Sequence, residues 1–165
     1  MTVPRLYALL RGTWTFVRRI EFPREPLDNK VVKGTGVWGG GKEGEGPEGG
    51  ALLYEEQGMM TGERVAAPIP VHTSHEWVFS VDDASGASRA QVYFVHPERR
   101  PFYCITLEAG SAGPTSFTHQ CDPDFYSGTL RFEEGGRRLC MEWGVVGPKK
   151  DYVIKTTYER QDIKN

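Results

Sequence analysis

An excess of charge of either sign is absent from this sequence of 165 residues: 20 lysines and arginines balance 22 aspartates and glutamates, for a formal net charge of −2. That balance provides neither the basic footprint of a nucleic-acid-binding surface nor a polybasic membrane patch, so neither partner is expected. Long apolar runs are missing as well. No stretch approaches the ~20 residues of a membrane-spanning helix, and the apolar run near the N-terminus is too short for a secretory signal. Cysteine is scarce. Cys104, Cys121 and Cys140 are an odd number without Cys-x-x-Cys spacing, so neither a metal site nor a disulfide framework is expected. They read as reduced thiols of a cytoplasmic protein, most of them buried. A phosphate loop and a nucleophile elbow are both absent, which weighs against an enzyme.

Glycine and proline, at 20 and 11 residues, are abundant, as short strands joined by tight turns require. The length is that of one domain with a real core, 1–165. Residues 4–11 suit a short helix with Leu6, Leu9 and Leu10 on one face. Period-two alternation begins at 13–20, where Trp14, Phe16, Arg18 and Ile20 share one face. Further strands are expected at 31–38, 52–57, 71–80, 90–95, 102–107, 115–121, 125–132, 139–146 and 152–158. Gly34 and Gly36 weaken the second and mark a bend. The glycine- and glutamate-rich stretch 39–50 reads as a surface loop, and 58–70, with Pro68 and Pro70, as a long connection. Regular hairpins with no second helix give an all-β fold, an antiparallel up-and-down barrel of about ten strands.

Gly12-Thr13-Trp14 at the start and Arg160 on the last strand resemble the calycin superfamily of lipocalin-like and fatty-acid-binding barrels. The resemblance implies that the tryptophan and arginine meet and close the base. His119-Gln120-Cys121-Asp122-Pro123-Asp124-Phe125-Tyr126 and Trp143-Gly144-Val145-Val146-Gly147-Pro148-Lys149-Lys150-Asp151-Tyr152 are more specific. They resemble an uncharacterised calycin-like family of unknown function, over nearly the whole chain. The sequence departs from that pattern at 39–50, an insertion, and at 97–103, where Tyr103 stands in place of a family histidine. The resemblance implies a fold and no activity.

In a ten-stranded meander the connections 22–30, 58–70, 96–101, 121–125 and 147–151 lie at one end, the mouth. The connections 39–50, 81–89, 108–114 and 133–137 lie at the base. Most of the charged turn residues fall at the mouth, where barrels of this size hold a small ligand. The inward face is expected to carry Trp14, Phe16, Arg18, Tyr54, Glu56, Phe117, His119, Tyr126, Trp143, Tyr152, Ile154 and Tyr158. This lining is aromatic yet includes ionisable groups, which need partners when buried. Arg18 and Glu56 read first as an ion pair with each other.

The leading functional reading is binding of a small amphipathic or aromatic molecule inside the barrel. Its contacts are expected from His119, Tyr126, Trp143, Tyr54, Glu56, Arg18 and Tyr152, with Arg100 and Lys150 at the mouth. An enzyme using His119 with Asp124 or Tyr126 for proton transfer or hydrolysis is the alternative. A protein-interaction module with a filled barrel is the third. His119 also reads as a core histidine or, as the one cofactor alternative, a haem ligand; otherwise no cofactor is expected. His72 and His75 read as a solvated strand start. Neither the ligand's identity nor an oligomeric state is legible.

Overall fold

The computed structural model describes residues 4–40 and 50–161. A helix, α1 (Arg5–Leu10), precedes ten strands. They are β1 (Gly12–Glu21), β2 (Lys30–Gly39), β3 (Ala51–Gly62), β4 (Ile69–Val81), β5 (Ser88–Phe94), β6 (Arg100–Leu107), β7 (Thr115–Cys121), β8 (Asp124–Glu133), β9 (Arg138–Val146) and β10 (Asp151–Arg160). All pair antiparallel in one sheet, ordered β6-β5-β4-β3-β2-β1-β10-β9-β8-β7. The first and last strands are neighbours, with Trp14 opposite Arg160 and Ile20 opposite Ile154. The meander therefore curls into a nearly closed barrel whose two edges, β6 and β7, face each other. At this seam side chains replace the ladder. The Thr115 hydroxyl donates to the Thr106 carbonyl at 2.6 Å, and the Tyr103 ring stacks on Phe117 with centroids 4.8 Å apart.

Alternation sets which residues enter the core. On β3, Leu52, Tyr54 and Glu56 are buried while Leu53, Glu55 and Gln57 are exposed, the period of a pleated strand. The same rule overturns the expectation of buried cysteines. Cys104 and Cys121 are exposed and Cys140 is half-buried. On β6 the inward positions belong to Tyr103, Ile105 and Leu107, which turns Cys104 outward. The expected connection 58–70 is also mostly strand, with Met59 opposite Pro70 and Met60 opposite Ile69. Proline is tolerated there because β5 pairs with β4 only from His75 onward, so one flank of Pro70 has no ladder to break. The expected loop at 39–50 falls for the most part outside the described residues.

The base is plugged by α1, whose Leu6, Tyr7 and Leu10 are buried. The helix's open backbone groups find partners. The Leu6 amide donates to Ser88 Oγ at 3.0 Å, and the Trp14 indole donates to the Leu10 carbonyl at 2.8 Å. The Arg160 guanidinium lies 4.2 Å from the Trp14 ring centroid and donates to the carbonyls of Arg11 and Leu9. Tryptophan and arginine thus meet as the calycin resemblance implies. Among the described residues no helix is long and apolar enough to cross a membrane.

Candidate functional site

Above the plugged base the barrel is not filled. A cavity of about 260 Å³ opens between β1, β2, β3, β4, β6, β9 and β10. Trp38, Trp77, Phe102, Tyr103 and Trp143 supply most of its wall, with Ile20, Met141 and Ile154 between them. The rings brace one another edge to face. Trp38 and Trp77 cross at 82° with centroids 5.8 Å apart, and Tyr103 and Trp143 cross at 80° and 4.9 Å. Such contacts give a stiff apolar surface.

Into this wall is set a polar cluster. Arg18 on β1 grips Glu56 on β3 in a two-pronged pair, Nη1 to Oε1 at 2.5 Å and Nη2 to Oε2 at 2.9 Å. Strand β2 lies between them, and its inward positions between Val32 and Trp38 are Gly34 and Gly36, without side chains. The bare stretch of β2 leaves room for the arginine to reach across. Tyr54 donates to Glu56 Oε2, and its hydroxyl meets that of Tyr158 at 3.2 Å. Arg18 Nε donates to Thr156 Oγ1 at 3.0 Å and Nη2 to Tyr158 at 3.3 Å. Burial would raise the Glu56 carboxyl, but the hydrogen bond and charge of Arg18 and the bond from Tyr54 outweigh it and hold it below its ordinary value. Burial opposes the charge on Arg18 too. There the Tyr158 hydroxyl and the Glu56 carboxylate win, and the guanidinium is held more firmly protonated than usual. Burial, with the carboxylate beside them, raises the phenols of Tyr54 and Tyr158, so both stay neutral. The cluster is one compensated ion pair in a frame of neutral hydroxyls.

His75 stands beside it and corrects the reading of a solvated strand start. Only His72 of that pair is exposed, while His75 is half-buried and lines the cavity. Its ring is parallel to that of Tyr54, its partner across β3 and β4, at 6° and 6.4 Å. Burial lowers its pKa to about 4, with Arg18 adding to the shift and Glu56 opposing it. Near neutral pH it is therefore an uncharged imidazole with one donor and one acceptor nitrogen.

No curated protein matches the chain. The model of DUF6314, a family of unknown function, matches residues 10–160. The chain belongs to that family. Among solved structures it is similar to the S-type phycobiliprotein lyase CPES from Guillardia theta. The likeness covers 96% of this chain and 92% of that chain, with a TM-score of 0.67 and 11% identity. At that identity it shows a shared fold.

Of the residues singled out by sequence, this DUF6314 barrel brings Arg18, Tyr54, Glu56 and Trp143 together around the cavity, with Ile154 and Tyr158 of the expected inward face. The other expected ligand contacts lie outside its wall. His119 is half-buried one ring removed from it, its centroid 5.0 Å from that of Phe102 and 5.6 Å from that of Tyr126. Asp124 does not orient it. The Asp124 carboxylate pairs with Lys150 Nζ at 2.9 Å, and Lys150 also reaches the Tyr126 hydroxyl at 3.3 Å. Tyr152 packs on Phe22 at 5.3 Å, and Arg100 is exposed over the Phe94 ring at 4.5 Å. Among the described residues no three His, Cys, Asp or Glu side chains are grouped to hold a metal. Sequence reasoning missed His75, Trp38, Trp77 and Phe102. For His75 the signal was present, since it shares strand parity with Trp77 and Phe79, both fully buried.

Proposed function

We propose that the barrel binds a small, largely aromatic molecule with a polar edge in the interior cavity, against Arg18, Tyr54, Glu56, His75 and Trp143. The observation that supports this best is the cavity itself, apolar over most of its wall with polar groups converging at one side, the usual construction of a small-molecule site. Its volume of about 260 Å³ exceeds the roughly 150 Å³ that accommodates benzene in an apolar protein cavity. A molecule of one or two fused rings fits. The fold shared with a phycobiliprotein lyase is in keeping with a ligand-holding barrel. His119 and Tyr126 stand behind Phe102 and Trp143, the rings that line the cavity. Heteronuclear NMR with β-naphthol tests the reading. Saturable shifts at His75, Trp77 and Trp143 are expected; shifts confined to the barrel exterior, or none, contradict it.

A further inference from the structure

Two polar side chains that face the cavity have no hydrogen-bond partner among the described residues. Tyr103 is 6% exposed, and burial keeps its hydroxyl protonated. Neither that hydroxyl nor the ring nitrogens of the half-buried His75 bond to a described residue. Buried polar groups left in this way are uncommon, and each asks for an explanation. The indole nitrogens of Trp38 and Trp77 are unbonded too, but they are sealed within the wall. The Tyr103 hydroxyl and the His75 nitrogens are not sealed, and both residues line the cavity.

Packing holds the two rings in place. Tyr103 meets Trp77 edge to face at 6.0 Å and stacks on Phe117 at 4.8 Å. His75 lies between Tyr54, at 6.4 Å, and Phe102, at 5.5 Å. Phe102 also packs on Tyr103, at 4.7 Å, so the two polar groups flank one ring of the wall. A neutral imidazole has one nitrogen that donates and one that accepts, and a phenol hydroxyl does both. The hydroxyls of Thr156 and Tyr158, by contrast, are already engaged by Arg18. The wall holds no uncompensated charge, because Arg18 is matched by Glu56 and His75 is uncharged near neutral pH. An ionic ligand would lose its hydration without meeting an unpaired counter-charge. A neutral ligand takes over the open bonds from water, and one that cannot reproduce them loses affinity.

We infer that the ligand is a neutral hydroxylated aromatic molecule that donates a hydroxyl hydrogen to the unprotonated nitrogen of His75 and accepts from the Tyr103 hydroxyl. This rests on the proposed binding role and sharpens it to a chemical class. Phenols and naphthols belong to that class. Aryl hydrocarbons and aryl ethers do not, because neither has a hydrogen to give the imidazole.

A matched pair of probes tests it in the intact protein near neutral pH, where an aryl hydroxyl is uncharged. β-Naphthol and 2-methylnaphthalene share a ring skeleton and differ by a hydroxyl for a methyl group. Tyr103→Phe removes the unbonded hydroxyl alone, and His75→Leu removes the imidazole. Each variant should bind β-naphthol on the order of tenfold more weakly than wild type, the scale of one buried hydrogen bond. The affinity of each for 2-methylnaphthalene should not fall. Should His75→Leu fail to fold, nitrogen-15 spectra of the wild-type histidines read the same contact. The unprotonated nitrogen of His75 should then move upfield with β-naphthol and not with 2-methylnaphthalene. Undiminished β-naphthol affinity in either folded variant, or an unmoved His75 signal, overturns the inference and leaves the binding role standing. Binding of 2-methylnaphthalene alone does the same. If neither probe binds, both readings fall.

Discussion

Removing either partner of the Arg18–Glu56 pair leaves a charge inside the barrel with nothing to balance it. The Glu56 side chain is 3% exposed and that of Arg18 20%, so water cannot fully replace the lost partner. Arg18→Met should cost ~3–5 kcal/mol, the usual penalty for stranding a buried charge. Arg18→Met combined with Glu56→Leu should recover much of that, because an apolar pair of similar volume leaves nothing unpaired. Urea denaturation of the two single variants and the double variant closes the cycle, and strictly additive losses would contradict a coupled pair. His75 gives the cluster a dependence on pH. Its folded pKa of about 4 lies below the 6.5 of a free histidine. Between those values the unfolded chain binds the proton and the folded one does not, so stability falls as pH drops from 6.5 toward 4. The full effect is of order 3 kcal/mol. Glu56, lowered in the fold, contributes stability above its ordinary value near 4.3 that is lost on further acidification. His75→Gln should flatten the upper part of the stability profile and leave the acid limb in place. An unchanged slope between pH 6.5 and 4 would show that another group titrates there.

At the scale of elements, β2 gives Trp38 to the cavity wall but no side chain to the polar cluster that spans it. A Cβ on Gly36 would lie 2.8 Å from the Tyr54 ring and hydroxyl, the group that donates to Glu56. Gly36→Val should cost ~1–3 kcal/mol through overpacking and weaken ligand binding by displacing Tyr54. A variant that melts and binds like wild type would show that β2 is bare for another reason. The sequence made such elements legible where alternation was clean. The strand Leu52, Tyr54 and Glu56 and the hairpins from 90 onward were readable in this way, whereas the meeting of Trp14 with Arg160 was implied by the calycin resemblance. The sequence misled where glycine and proline interrupt a strand, as at Gly58 and Pro70, because local propensity hides a ladder that register on neighbouring strands maintains. His75 was obscured by its closeness to that proline-rich segment, although its parity with Trp77 was visible.

At the scale of the whole molecule, polar chemistry divides between two places. The mouth is rich in charge, and four of its cations are spent on neighbouring carboxylates: Arg24 with Asp151 at 3.1 Å, Arg64 with Asp28 at 2.9 Å, Arg99 with Glu76 at 3.0 Å and Lys150 with Asp124 at 2.9 Å. Exposed pairs of this kind contribute little individually. The buried, convergent groups lie deeper, at the wall shared by β1, β3, β4 and β10. Strand count and alternation could sort mouth from base in the sequence. They could not reveal a cavity, which depends on how ten strands curve and on which rings stop short of the axis. The account therefore stands on whether that space takes a ligand. The most direct measurement is a fluorescence titration of β-naphthol against the wild-type barrel and against Thr73→Trp, which puts a large ring where Thr73 lines the cavity. The account predicts saturable binding of one molecule per chain to wild type, and its loss in a variant that still melts cooperatively. Undiminished binding to that folded, blocked variant would place the ligand elsewhere and contradict the account.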